Sequence, residues 1–101
     1  MVVLVLENVT PGLRGEVRRW LQELHAGIFV GTLSLRVREE LWSHVLDKRR
    51  EGAALMVYSA RSEQGYMFRS AGEVSRTAVD LEGLILTARP AKEQRETSGG
   101  E

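Results

Sequence analysis

The chain has 101 residues, 43% of them hydrophobic, and its formal net charge is zero because 14 basic side chains balance 14 acidic ones. This length suits one domain with a single core, and the balanced charge gives no global sign of a nucleic-acid binder. The absence of cysteine excludes disulfides and thiolate metal sites. All basic residues except Lys48 and Lys92 are arginine, whose planar guanidinium suits phosphate, although a genome-wide preference for arginine explains the same composition.

The chain begins with an apolar, mostly β-branched run from Val2 to Leu6. Such a run predicts a central strand that is covered on both faces. It is too short for a signal peptide or a membrane span. We therefore expect a cytoplasmic protein that makes no contact with a membrane.

Several polar residues follow this strand and could form a site. Glu7 and Asn8 fall where the strand emerges, and Thr10 is a suitable N-cap for the next helix. Arg14 and Arg18 add two guanidinium groups one helical turn apart. A metal ion, a phosphate or both would fit such a set. The alternative interpretation is a solvated carboxylate at a strand end and a solvated helix face.

Periodicity predicts two amphipathic helices separated by a short strand. The first helix runs from about Pro11 to Leu24 and ends at Gly27 in a left-handed conformation. Ile28 to Val30 is the short strand, and Ser34 can cap the second helix, which runs from about Leu35 to Arg50. Basic residues close its last turn, where they complement the helix dipole without any ligand: Lys48, Arg49 and Arg50.

The rest of the chain predicts three further strands and a tail. The strands are Ala54 to Ala60, Tyr66 to Ala71 and Leu84 to Ala88. The sequence therefore predicts one domain over residues 1–89 and a disordered, polar C-terminal tail over residues 90–101.

The order strand, helix, strand, helix and three strands predicts an α+β, ferredoxin-like fold, with an antiparallel sheet and two helices on one face. The strands are apolar on both sides, so the uncovered face would be a large exposed apolar patch. We therefore expect a homodimer packed through the open sheet face. The strand from Leu84 to Ala88 is a candidate to extend the partner's sheet edge.

One short motif suggests another function. Residues Gly65, Tyr66, Met67 and Phe68 resemble the aromatic signature of RNA-recognition motifs, in which the rings stack on bases. Here the strand follows the second helix instead of preceding it, and Gln64 stands where a basic residue is expected. Aromatic residues at alternate strand positions are more typical of a core.

A series of short motifs carries a family resemblance. ENV ends the first strand, a proline opens the helix, and LRG, GIFVG, REELW and RTAVDLEGL follow in order. Over about residues 2 to 88 the chain resembles the CRISPR-associated protein two family, in the variant from type I systems of subtype E. No single motif decides the resemblance, but the ordered series is specific.

The resemblance implies a ferredoxin-like homodimer that acts in spacer acquisition. In the family, this dimer lies between two dimers of the integrase, CRISPR-associated protein one, spans duplex DNA and sets its length. Members are also described as metal-dependent endonucleases on RNA or DNA. In that case Glu7 of both protomers would bind the metal across the dyad, so the same residue would be the catalytic metal ligand.

The resemblance also implies which residues contact DNA. Asn8, Arg14 and Arg76 match positions that contact the phosphate backbone, and Arg18 is the second guanidinium on the first helix. Gly12 and Ser75 stand where relatives carry further arginines, which predicts a weaker clamp. The family docks the integrase through its C-terminal end, which is unusually polar here.

Three functions stay open at this point, and with them the question of whether the chain is an enzyme. The favoured one is a non-catalytic dimer that holds duplex DNA and bridges integrase dimers. The second is a Mg²⁺-dependent phosphodiesterase that uses paired Glu7 carboxylates. Two glutamates make a poor Mg²⁺ site, because this ion needs several carboxylates or substrate phosphates. The third is a ferredoxin-like dimer that senses a small molecule, for which no motif is present.

Overall fold

The computed structural model describes residues 1–61 and 65–75, and the backbone of residues 95–97. Two helices and six strands occur in these residues. In chain order they are β1 (Val2–Glu7), α1 (Pro11–Val17), β2 (Gln22–His25), β3 (Ile28–Gly31), α2 (Leu35–Lys48), β4 (Ala53–Ser59), β5 (Tyr66–Ala71) and β6 (Arg95–Thr97).

The strands form one sheet in the order β2-β3-β1-β4-β5-β6. The neighbours from β2 to β5 pair antiparallel, and β6 pairs parallel to β5. The unit β1-α1-β2 encloses β3, and the unit β3-α2-β4 encloses β1. These two interlocked split βαβ units define a ferredoxin-like fold. The prediction of an α+β fold with an antiparallel sheet and two helices is therefore confirmed.

Both helices begin at the predicted side-chain caps. The Thr10 hydroxyl accepts a hydrogen bond from the Leu13 N–H at 3.2 Å, and the Ser34 hydroxyl accepts one from the Val37 N–H at 3.3 Å. Each cap satisfies an N–H group that has no partner within the helix. These caps fix where the chain turns from strand to helix.

One face of the sheet carries both helices and the larger part of the core. Trp42 of α2 is 1% exposed and packs among apolar side chains of β1, β3 and β4. The helices contribute Leu13, Val17, Leu41, Trp42 and Val45, and the strands contribute Val2, Leu4, Leu6, Phe29, Ala54 and Met56.

The opposite face of the sheet is also apolar, and its central side chains are buried within the single chain. This second cluster comprises Val5, Leu55, Val57, Tyr66 and Phe68, which are 2–7% exposed. The inference of a homodimer assumed that this face would stay uncovered. For these five residues that assumption is wrong, so a dimer needs other support.

The first helix is shorter than the sequence predicts. It ends at Val17, and residues Gln22–His25 form β2 instead of a further helical turn. Gly27 has φ of +82° and lies in the β2–β3 hairpin, not at a helix end. A Cβ there would lie 2.5 Å from the Leu6 oxygen, so this close approach and the left-handed backbone both require glycine.

Some predictions fall partly or wholly outside the described residues. The strand from Leu84 to Ala88 and the role of Arg76 are among them. Strand β6 lies within residues 90–101, for which the sequence predicts a disordered tail, and the domain boundary at residue 89 stays a prediction. Within the part of the chain that is described, no helix is both long and apolar enough to cross a membrane.

Candidate nucleic-acid interface

The Glu7 side chain, which is the predicted metal ligand, is half-buried at the end of β1. Its Oε1 accepts a hydrogen bond from the Ser75 N–H at 2.7 Å, and its Oε2 accepts one from the Ser75 hydroxyl. These contacts join residues that are 68 positions apart in the chain. Glu7 therefore ties the segment that follows β5 to the end of β1.

The surroundings of Glu7 do not fit a Mg²⁺ site within one chain. Both carboxylate oxygens already accept hydrogen bonds from Ser75. Among residues 1–61 and 65–75, no three histidine, aspartate or glutamate side chains cluster as a metal site requires. A Mg²⁺ ion shared by Glu7 of two protomers stays a prediction, and we derive no chemical step from it.

Asn8 lies beside Glu7 in a left-handed conformation, with φ of +59°, and is exposed. The backbone of Gly52 packs directly against this turn. A Cβ on Gly52 would lie 2.6 Å from the Asn8 oxygen and 2.8 Å from the Glu7 oxygen. Because real Cβ atoms do not approach backbone so closely, only glycine lets the start of β4 meet the end of β1 in this way.

Arg14 and Arg18 converge on the carboxylate of Glu23. The Arg14 Nη2 lies 3.2 Å from the Glu23 Oε2, and the Arg18 Nη2 lies 2.6 Å from the Glu23 Oε1. The Gly27 N–H also donates to Oε2, at 2.9 Å. Two guanidinium groups against one carboxylate leave one excess positive charge on this surface.

Glu23 holds α1 against the β2–β3 hairpin. The hydrogen bond from the Gly27 N–H lowers the pKa of the Glu23 carboxyl, and the bond from Arg18 lowers it further. The carboxylate is therefore charged at neutral pH and keeps both arginine side chains in place. Arg14 and Arg18 are 34% and 54% exposed, so both can still reach a ligand.

The predicted site residues thus divide between two networks. Glu7 and Asn8 lie at the end of β1, and Arg14 and Arg18 lie in the cluster around Glu23. Arg76 lies outside the described residues. Periodicity does not single out Glu23, because a first helix that extends to Leu24 places this residue on the solvated helical face. Arg14 and Glu23 are nine residues apart in the chain. They come into contact only because the chain folds back after α1.

A comparison with known protein families identifies the context of this fold and of these networks. Residues 1–86 match the model of a family described as CRISPR-associated protein (Cas_Cas2CT1978). The chain belongs to this family. The match spans most of the chain and agrees with the resemblance to CRISPR-associated proteins that the ordered motifs carry.

The matched region of this CRISPR-associated protein contains every candidate site residue, including Arg76. The aromatic residues of β5 lie in the same region but are not available for stacking on bases. Tyr66 and Phe68 are 6% and 2% exposed and belong to the second apolar cluster. The interpretation of these aromatic residues as core is therefore confirmed.

Proposed function

We propose that this CRISPR-associated chain acts in spacer acquisition as a non-catalytic scaffold for duplex DNA, in a type I system of subtype E. Its partners are a second copy of the chain and the integrase, CRISPR-associated protein one. The observation that carries the choice of scaffold over hydrolase is the pairing of Glu7 with Ser75. Both oxygens of this carboxylate already accept hydrogen bonds from Ser75, and a metal ion would have to displace these bonds in order to bind there.

The scaffold would hold DNA through its phosphate backbone. The Glu23 cluster carries one excess positive charge, and its two arginines remain partly exposed. Guanidinium groups bind phosphate in a bidentate manner and without regard to base sequence. Asn8 adds an exposed amide at the end of β1. This set of groups suits binding that is independent of sequence.

A homodimer remains part of the proposal on family grounds. The central residues of the second sheet face are buried within one chain, but its margin is less covered. A small apolar groove of about 160 Å³ lies there, lined in part by Met1, Val3 and Val57. Met1 is 68% exposed and could pack against a partner. A dimer would present the DNA-binding groups twice, related by its dyad.

Two substitutions of Glu7 separate the scaffold from the hydrolase. In Glu7→Gln, the amide oxygen can accept from the Ser75 N–H and the amide nitrogen can donate to the Ser75 hydroxyl, so we expect near-normal DNA integration with the integrase. Glu7→Ala loses both contacts, and we expect it to cost about 1–2 kcal/mol of folding stability. The measurements are integration of a duplex by the two proteins together, and thermal unfolding of each variant.

The hydrolase predicts a different pattern. If Glu7 binds a catalytic metal, Glu7→Gln should abolish Mg²⁺-dependent cleavage as completely as Glu7→Ala does. A folded Glu7→Gln protein that no longer supports integration would contradict the scaffold. Sedimentation is the control, because each variant should keep the proposed dimer mass of about 23 kDa, twice the 11.3 kDa of one chain.

A further inference from the structure

A cleft of about 440 Å³ opens between the turn after β1 and the turn that joins α2 to β4. The antiparallel pairing of β1 and β4 brings these turns together, because Glu7 lies opposite Ala53 in the register. Because Gly52 has no side chain, its backbone can pack directly against the Glu7 and Asn8 oxygens. The cleft is lined by Asn8, Val9, Thr10, Arg49, Arg50 and Glu51.

Two neighbouring arginines give this cleft an excess of positive charge. Glu51 is the one carboxylate in its lining, against the guanidinium groups of Arg49 and Arg50. Among the ion pairs of residues 1–61 and 65–75, none involves either arginine. Most other arginines of these residues are held by a glutamate, as Arg14 and Arg18 are.

Arg49 and Arg50 differ in what they can do. The Arg49 Nη1 donates to the Gly52 oxygen at 2.8 Å, and its Nε is buried without a hydrogen-bond partner. Arg49 is therefore a structural part of the cleft that adds fixed charge. Arg50 is exposed, and its φ of +52° places it in the left-handed region just after the C-cap of α2. Glycine is the usual residue there, so an arginine is a costly choice for structure alone.

We infer that this cleft binds a phosphate group, with Arg50 as the principal contact and Asn8 beside it. Helix capping does not account for the exposed Arg50 side chain, because Arg49 is the C-cap residue and makes the contact with Gly52. An open cleft with an exposed guanidinium suits a phosphate on a long polymer better than a small enclosed ligand. The inference rests on the proposed function, since the favoured source of the phosphate is the backbone of the bound duplex. It extends the DNA-binding surface from α1 to the turn between α2 and β4.

Arg50 and Arg61 form a matched pair for the test. Both are exposed, and Arg61 lies beyond the opposite end of β4, so it is a full strand length from the cleft. Arg50→Asn removes the charge with a residue that tolerates the left-handed region. Arg50→Lys restores a charge at the same place, and Arg61→Asn is the control. Affinity for a duplex is measured across a salt series, with thermal unfolding as the check on folding.

We expect Arg50→Asn to weaken duplex binding by about two- to fivefold, in the range of an exposed ion pair. The slope of log affinity against log salt should become shallower by about 0.9 per protomer. Arg50→Lys should keep most of that slope, and Arg61→Asn should match the wild type. Equal behaviour of Arg50→Asn and Arg61→Asn would overturn the inference. If Arg14→Ala still weakened binding in that case, the proposed function would stand without the cleft.

A second arm separates DNA from other sources of phosphate or anion. Inorganic phosphate is titrated against the labelled protein, and the amide resonances of Asn8, Arg50 and Glu51 are followed. Two results together support the inference: phosphate shifts these amide resonances in the wild type but not in Arg50→Asn, and Arg50→Asn loses duplex affinity. Phosphate-induced shifts without any change in duplex affinity would mean a site for free phosphate and overturn the assignment of the cleft to the DNA backbone. Integrase binding by Arg50→Asn is measured alongside, and its loss with duplex affinity unchanged would overturn the inference too, because the cleft would then hold an acidic segment of a protein.

Discussion

Replacing Gly52 with alanine should destabilise the protein, because the turn after β1 leaves no room for the added methyl group. The new Cβ would lie 2.6 Å from the Asn8 oxygen, 2.6 Å from the Val9 Cγ1 and 2.8 Å from the Glu7 oxygen. Two of these neighbours are backbone atoms at the end of a paired strand, so they cannot move aside cheaply. We expect a loss of about 1–3 kcal/mol or more, as for an overpacked core. Each kcal/mol should lower Tm by about 4–8 °C in a domain of this size.

Gly15→Ala is the matched control for this effect. Gly15 lies inside α1, and the nearest atom to an added Cβ is the Arg18 Nη1 at 3.9 Å, which is an ordinary contact. Alanine there should stabilise the helix by about 0.5–1 kcal/mol. The same chemical change should therefore have opposite signs at the two positions. A Gly52→Ala protein as stable as the wild type would contradict the tight contact between the turns.

Substitutions in the Glu23 cluster should move duplex affinity in opposite directions. Arg14→Ala removes one positive charge from each protomer, so binding should weaken for every DNA sequence alike, and the salt slope should become shallower by about 0.9 per protomer. Glu23→Gln removes the carboxylate that neutralises Arg14 and Arg18, but its amide oxygen can still accept from the Gly27 N–H. Binding should therefore strengthen and the slope should steepen.

The control for this pair is Glu40→Gln. Glu40 pairs with Arg36 on the exposed surface of α2, where both side chains are more than half exposed. The Glu40→Gln substitution removes one negative charge from the protein, as Glu23→Gln does. If both substitutions strengthened binding equally, net charge alone would explain the effect. DNA would then have no preferred contact with the Glu23 cluster.

Local patterns in the sequence were sufficient for much of the fold. The apolar runs of β1 and β4, the periodic stripe of α2 and the position of β5 each matched the structure to within a few residues. The caps Thr10 and Ser34 were also found from their residue types. These features depend on neighbours in the chain, so a single sequence contains the information that determines them.

The errors came from contacts between distant parts of the chain. The apolar spacing through Trp20, Leu21 and Leu24 fitted a continued helix, yet β2 forms because it pairs with β3 across the Gly27 turn. In the structure Leu24 is 61% exposed, so it never belonged to a buried stripe. The burial of the second sheet face could not be inferred either, since periodicity shows that a face is apolar but not what covers it.

Only some members of the candidate site were predicted from the sequence, and their arrangement was not. Glu7 and Asn8 were correctly placed at the end of β1, because strand ends are visible in the sequence. The hydrogen bonds from Ser75 to Glu7 span most of the chain, and no local pattern predicts them. No local pattern predicts the contacts of Glu23 with Arg14 and Arg18 either, because they depend on the β2–β3 hairpin, which the sequence did not predict. The long-range hydrogen bonds from Ser75 give Glu7 a structural contact within the chain, while its role as a metal ligand between two protomers stays a prediction.

We propose that this CRISPR-associated protein holds duplex DNA by its phosphate backbone. The most direct measurement is the affinity of the wild-type protein for two duplexes of unrelated sequence across a salt series. We expect the two affinities to be equal at every salt concentration and to fall steeply together, with a log–log slope of about −0.9 for each phosphate neutralised. A marked preference for one sequence, or an affinity that does not change with salt, would contradict the claim.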